Sequence, residues 1–124
     1  MSVPELPADV RRFILTSVPS VPYLEAVLLL RSEPQKAWDV AQLARRLYVP
    51  ERTATELLEQ LRGSGIAGEE AGGVRYAPAA ELAELVDRVA AAYTADLVAI
   101  TDLIHSRIDR RAQQFADAFR FRKE

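Results

Sequence analysis

The chain has 124 residues, of which 49% are hydrophobic and 27% charged, and its formal net charge is −2 at pH 7. This length suffices for one core, so we expect a single domain over residues 1–124. The lack of cysteine excludes disulfides and thiolate metal sites, and no apolar run is long enough to span a bilayer. The N-terminal region carries Glu5 and Asp9 and lacks the apolar core of a secretory signal. We therefore expect a bacterial-type cytoplasmic protein with no membrane partner.

Residues 8–35 are predicted to form the N-terminal helices. Val10, Phe13 and Ile14 follow helical spacing within residues 8–17, and the prolines at 19 and 22 then interrupt the pattern. A second helix is predicted to begin near Pro22. Its sequence, YLEAVLLLR, is apolar nearly all round, which indicates a helix covered by neighbours on several sides.

Residues 37–78 carry the most informative pattern of the chain. Asp39 and Gln42 have the spacing of a capping box, and the apolar positions that follow predict a short helix that ends near Leu47. Pro50 suits the first turn of a second helix, whose apolar stripe extends to Leu61 and which the following glycines end. The turn between the two helices is only about three residues long, as in helix-turn-helix units.

A small β-hairpin is predicted to follow the second helix. Residues 66–70 and 74–77 each suit a short strand, and Ala71, Gly72 and Gly73 form the connecting loop. Ala37 and Trp38 are predicted to add a third, very short strand. This order of elements predicts a mainly α fold, a winged helix-turn-helix with a small hairpin wing. The alternative is a small helical bundle with a loop in place of the hairpin.

Residues 79–124 contain no glycine, and apolar residues recur there at steps of three or four. This pattern predicts one long C-terminal helix or two, with a bend near residues 106–109. The apolar stripe is larger than one small core can cover, so we predict a homodimer; the alternative is a hairpin of helices within one chain. The predicted dimer interface consists of Val89, Tyr93, Leu97, Ile100, Ile104, Ile108, Phe115 and Phe119. The phenylalanines also suggest base stacking, but their spacing favours a core or dimer seam.

No catalytic chemistry is indicated by the sequence. His105 is the only histidine, no cysteine is present to act as a nucleophile, and the Gly72–Gly73 pair lacks a phosphate-loop pattern. Asp102 precedes His105 by three residues, but one imidazole with scattered carboxylates is weak support for a metal site. We therefore expect a protein that is not an enzyme and has no metal and no cofactor.

The helix order, the LEQLRGSGI segment that closes the second helix, the GGVRY wing and the long C-terminal helix resemble small bacterial winged-helix transcriptional regulators of the MarR or PadR kind. The resemblance covers nearly the whole chain. It implies a homodimer that binds double-stranded DNA through the start of the second helix and the wing. The implied DNA-facing residues are Pro50, Glu51, Arg52, Thr53, Thr55 and Glu56, with Arg75 on the wing.

The charge of residues 36–78 is a separate observation, and it argues against tight DNA binding. Residues 36–78 carry six basic and six acidic side chains, so the module is formally neutral, and phosphate attraction dominates nucleic-acid affinity. Glu56 also stands where the MarR-like pattern commonly has a basic residue. Two functions therefore remain, a DNA-binding regulator and a winged-helix interaction module that binds protein or only dimerises. The candidate DNA-binding residues are Arg45, Arg46, Arg52, Thr53, Thr55 and Arg75.

Overall fold

The structure is a computed structural model that describes the backbone of residues 6–122 and the side chains of residues 6–106, 108, 113 and 114. In chain order the described elements are α1 (Ala8–Ser17), α2 (Val21–Ser32), α3 (Val40–Leu47), α4 (Glu51–Gly63), β1 (Ala67–Glu70), β2 (Gly73–Tyr76), α5 (Ala80–Ala95) and α6 (Leu97–Arg122). This order, with an antiparallel hairpin after the second helix of a close helix pair, is that of a winged helix. The predicted fold class is confirmed.

The chain divides into two compact units. One unit is Pro22–Ala90, which contains the helix-turn-helix and the hairpin, and the other consists of the segments on either side of it. In the second of these units, α1 packs on α6. In Pro22–Ala90, α2 contributes many of the buried side chains, as its apolar sequence predicts: Tyr23, Leu24, Ala26, Val27, Leu29 and Leu30.

The hairpin wing is tied to the start of α3 by a short backbone bridge. Trp38 and Val74 exchange both backbone hydrogen bonds, with N···O distances of 2.7 and 2.9 Å, so the predicted third strand is a one-residue bridge at Trp38 that does not include Ala37. Gly73 permits this approach, because a Cβ atom there would lie 2.0 Å from the Trp38 carbonyl oxygen. Trp38 itself is buried, so the wing is held at its base by both packing and hydrogen bonds.

The C-terminal region forms two helices, but the predicted position of the break is wrong. The chain departs from helical structure at Asp96, between α5 and α6, and it stays helical through residues 106–109. The Asp96 side chain accepts a hydrogen bond from the backbone N–H of Ala99 at 3.0 Å, so it caps the start of α6. Weak helix formers near Ser106 do not interrupt a helix of this length.

Among the described residues, no single helix is both long enough and apolar enough to cross a membrane. Helices α1 and α2 reach that length and composition only when they are taken together across the break between them.

Candidate nucleic-acid interface

The turn between α3 and α4 has the predicted length of three residues, 48–50. Asp39 and Gln42 form the predicted capping box at the start of α3, which fixes where this helix begins. At its end Tyr48 adopts a left-handed conformation, with φ 58° and ψ 46°, and the backbone N–H groups of Tyr48 and Val49 both donate to the Ala44 carbonyl. A left-handed conformation costs a non-glycine residue about 1–2 kcal/mol. Tyr48 is therefore an unfavourable residue for the left-handed position of this tight turn.

Helix α4 has one buried and one exposed face. Its buried side chains are those of the predicted apolar stripe: Ala54, Leu57, Leu58 and Leu61. Arg52 lies in the first turn on the exposed face with its side chain 92% exposed, and its Nε atom lies 3.9 Å from a carboxylate oxygen of Glu56. Exposed ion pairs of this kind contribute about 0–1 kcal/mol, so the pair leaves Arg52 available for another anion.

The two threonines of α4 are placed differently. Thr55 is exposed, and its hydroxyl donates to the Glu51 carbonyl at 3.0 Å, which leaves only the oxygen lone pairs for a further partner. Thr53 is half-buried. Of these two predicted contact residues, Thr55 therefore presents the more accessible side chain.

The wing carries its arginine beside a glutamate. Arg75 on β2 is half-buried, and its Nη2 atom lies 3.4 Å from a carboxylate oxygen of Glu70 on β1. Glu69 likewise pairs with Arg62 at the end of α4. Two of the six arginines and lysines of residues 36–78 are thus paired with wing carboxylates, which lowers the positive potential of the wing.

Arg45 and Arg46 lie in the last turn of α3, and both are exposed. Neither forms an ion pair with any side chain in the described part of the chain. Positive charge at a helix C-terminus is favoured by the helix dipole, which gives these arginines a local structural role as well. They are the cations of the helix-turn-helix whose charge is least offset by neighbouring carboxylates.

An open groove of about 330 Å³ lies between α4 and the hairpin. Its lining contains three carboxylates and one guanidinium among apolar and small residues: Val40, Thr55, Leu58, Glu59, Arg62, Glu69, Glu70, Gly73 and Val74. A groove with this excess of negative charge repels phosphate. The described residues contain no cluster of histidine or acidic side chains with the geometry to hold a metal ion.

The residues of the predicted dimer interface fall into separate groups. Val89, Ile100 and Ile104 are fully buried within the single chain, so their side chains have no exposed surface to give to a second copy. Helical periodicity alone does not distinguish such core positions from interface positions.

The other residues of the predicted dimer interface are not buried or are not described. Leu97 and Ile108 are 50% and 42% exposed, and Tyr93 is half-buried. The side chains of Phe115 and Phe119 lie outside the described residues. Val98 is 65% exposed beside Leu97 and was absent from the predicted set.

Tyr48 was not among the predicted site residues, and it is 93% exposed at the helix-turn-helix turn. The available signal was its position directly after α3, where glycine or asparagine usually supplies the left-handed conformation. A tyrosine at such a position carries a strain that glycine avoids.

No family model matches the chain, and no curated protein matches it. A crystal structure of a MarR family protein from Mycobacterium tuberculosis is similar over 94% of this chain and 84% of that chain, with 18% sequence identity and a TM-score of 0.49. The element order and the hairpin pairing of the chain itself define its class, a winged helix-turn-helix protein.

Proposed function

We propose that the protein is a cytoplasmic, DNA-binding transcriptional regulator that acts as a homodimer. The observation that carries this proposal is the exposed first turn of α4, where Arg52 projects into solvent directly after a tight turn. In helix-turn-helix proteins the N-terminal residues of the second helix contact base edges in the major groove. Arg52 has the donor geometry that reads guanine, and Thr55 offers a second polar contact one turn later.

The homodimer is supported by apolar side chains that one chain leaves exposed. Leu97 and Val98 begin α6 and Ile108 lies further along the same helix, and all three are large and solvent-exposed. A second copy that covers them removes this apolar surface from water. Paired second helices then meet half-sites about 10–10.5 base pairs apart, so a bound sequence is expected to be two-fold symmetric.

The test is a selection of bound genomic fragments, followed by fluorescence anisotropy with the retained sequence. Arg52→Ala is expected to weaken specific binding by about 1–3 kcal/mol and to relax the sequence preference. Arg12→Ala removes the same charge from the exposed face of α1 and is the matched control, expected to bind as the parent does. Equal binding by the Arg52→Ala variant and the parent would contradict the proposed contact.

The second candidate function is an interaction module that binds a protein partner or only dimerises. The pairing of Arg52 with Glu56 and of Arg75 with Glu70 favours this candidate, because both of these predicted DNA contacts already have a carboxylate beside them. If no fragment is retained even at about 50 mM salt, where phosphate attraction is strong, the interaction module replaces the DNA-binding proposal.

A further inference from the structure

The most unusual side chain outside the predicted contacts is Tyr48. It combines a left-handed backbone, φ 58°, with 93% solvent exposure. It is the one non-glycine residue with positive φ in the part of the chain that the structure describes. A large aromatic residue in this conformation is an outlier, and such outliers persist where the surrounding structure or a function requires them.

Folding does not account for the choice of tyrosine. The ring is exposed, so it buries almost no apolar surface, and the turn is closed by backbone hydrogen bonds to Ala44 that any residue with an N–H group can make. Glycine or asparagine at this position would form the same turn with less strain. What tyrosine adds is a solvent-exposed ring with a hydroxyl, three residues before the start of α4.

Residues 45–52 around Tyr48 carry three arginines and one glutamate, Glu51, and this net positive charge favours a negatively charged partner. Arg45 and Arg46 precede Tyr48 by three and two residues in the last turn of α3, and neither has an ionic partner among the described side chains. Arg52, on the other side of the turn, is also exposed. Tyrosine hydroxyls are among the groups that contact DNA phosphates in protein–DNA complexes.

We propose that Tyr48 is a further DNA contact, whose phenolic hydroxyl donates a hydrogen bond to a backbone phosphate next to the reading helix. This inference rests on the proposed function, since it names a contact of the same interface. The contact is to phosphate, so it adds affinity for every sequence and sets the position of α4 on the duplex without reading bases.

Three variants test the proposal. Tyr48→Phe removes only the hydroxyl and is expected to lower affinity about three- to tenfold for specific and random duplexes alike, at unchanged thermal stability. Tyr48→Gly is expected to lower affinity at least as much while it raises the melting midpoint by about 2–6 °C, because it relieves the left-handed strain. Tyr76→Phe is the matched control. It removes a buried hydroxyl that has no hydrogen-bond partner in the described chain, so DNA affinity should not change.

The outcomes separate the two proposals. If Arg52→Ala weakens binding and both Tyr48 variants bind like the parent, the Tyr48 contact is overturned and the DNA-binding function stands. If Tyr48→Gly lowers the melting midpoint or changes the dimer mass, Tyr48 serves folding or subunit contact, and the proposal is overturned. If the parent itself retains no DNA, the proposed function fails and the Tyr48 contact fails with it.

Discussion

Gly73→Ala is the sharpest test of how the wing is held. The new Cβ atom would lie 2.0 Å from the Trp38 carbonyl oxygen, 2.5 Å from the carbonyl carbon and 3.0 Å from the Asp39 nitrogen. Ordinary van der Waals contact begins at 3.4 Å, so the backbone at Trp38 must move by more than 1 Å. Because all three atoms belong to the main chain, a change of side-chain rotamer cannot relieve the clash.

The expected loss of stability follows from the contacts that this movement breaks. Trp38 and Val74 lose two backbone hydrogen bonds, each worth about 0.5–1.5 kcal/mol net. The displaced Asp39 backbone also disturbs the capping box of α3, which contributes on the order of 1 kcal/mol. Together these terms give a destabilisation of about 2–4 kcal/mol. With a urea m-value of about 2 kcal/mol/M, the middle of the range for small proteins, the unfolding midpoint should fall by about 1–2 M.

The assay is urea unfolding followed by tryptophan fluorescence, because Trp38 is the only tryptophan and is buried at the bridge itself. Gly63→Ala is the control. A Cβ atom there meets nothing within 4 Å, so this change in α4 should be neutral or stabilising by up to about 1 kcal/mol. The same midpoint for Gly73→Ala and the parent would refute the close approach of β2 to Trp38.

Two further predictions concern assembly and pH. Leu97→Glu should convert dimers to monomers of unchanged helicity, because an unpaired carboxylate buried between subunits costs several kcal/mol. Thr94→Glu, on the exposed surface of α5, is the control. A retained dimer mass for Leu97→Glu would exclude Leu97 from the interface. Burial raises the pKa of Tyr23 above 10.0, although its hydrogen bond to Ser64 partly offsets the rise. The unfolded chain therefore loses this proton first, and stability should fall as pH rises above about 10. Melting curves of Tyr23→Phe should show a smaller alkaline fall than the parent, and Tyr76, whose pKa burial also raises, should contribute to the fall that remains.

The sequence predicted correctly those features that depend on residues close together in the chain. The Asp39–Gln42 capping box and the Gly72–Gly73 loop are formed by residues close in the chain, so their spacing alone indicates them. The break at Asp96 was missed because it contains neither glycine nor proline, and its signal is an aspartate that caps the next helix. Several other aspartates, serines and threonines in residues 79–124 are equally good cap residues by type, so the sequence alone does not single out Asp96.

The core and interface positions of α6 required tertiary information. Ile100 and Leu97 are both apolar and three residues apart, yet one is fully buried and the other is half exposed. The difference depends on which side of α6 is covered, and α1 packs on this helix from a distant part of the sequence. Sequence periodicity defines an apolar stripe, and only the positions of the neighbouring elements show how much of it stays exposed.

The charges of the interface also set a limit on DNA binding, which gives the last prediction. Four arginines of the helix-turn-helix and wing are candidates for phosphate contact, so a dimer offers eight: two copies each of Arg45, Arg46, Arg52 and Arg75. At about 0.9 per phosphate, the slope of log affinity against log salt should be no steeper than about −7. Glu56 lies 3.9 Å from Arg52 and repels the same phosphates, so Glu56→Gln should strengthen binding to random duplex. Glu25→Gln, on the exposed surface of α2, is the control for the change in net charge. Equal gains from both glutamine variants would mean that net charge, and not the position of Glu56 beside the reading helix, determines affinity.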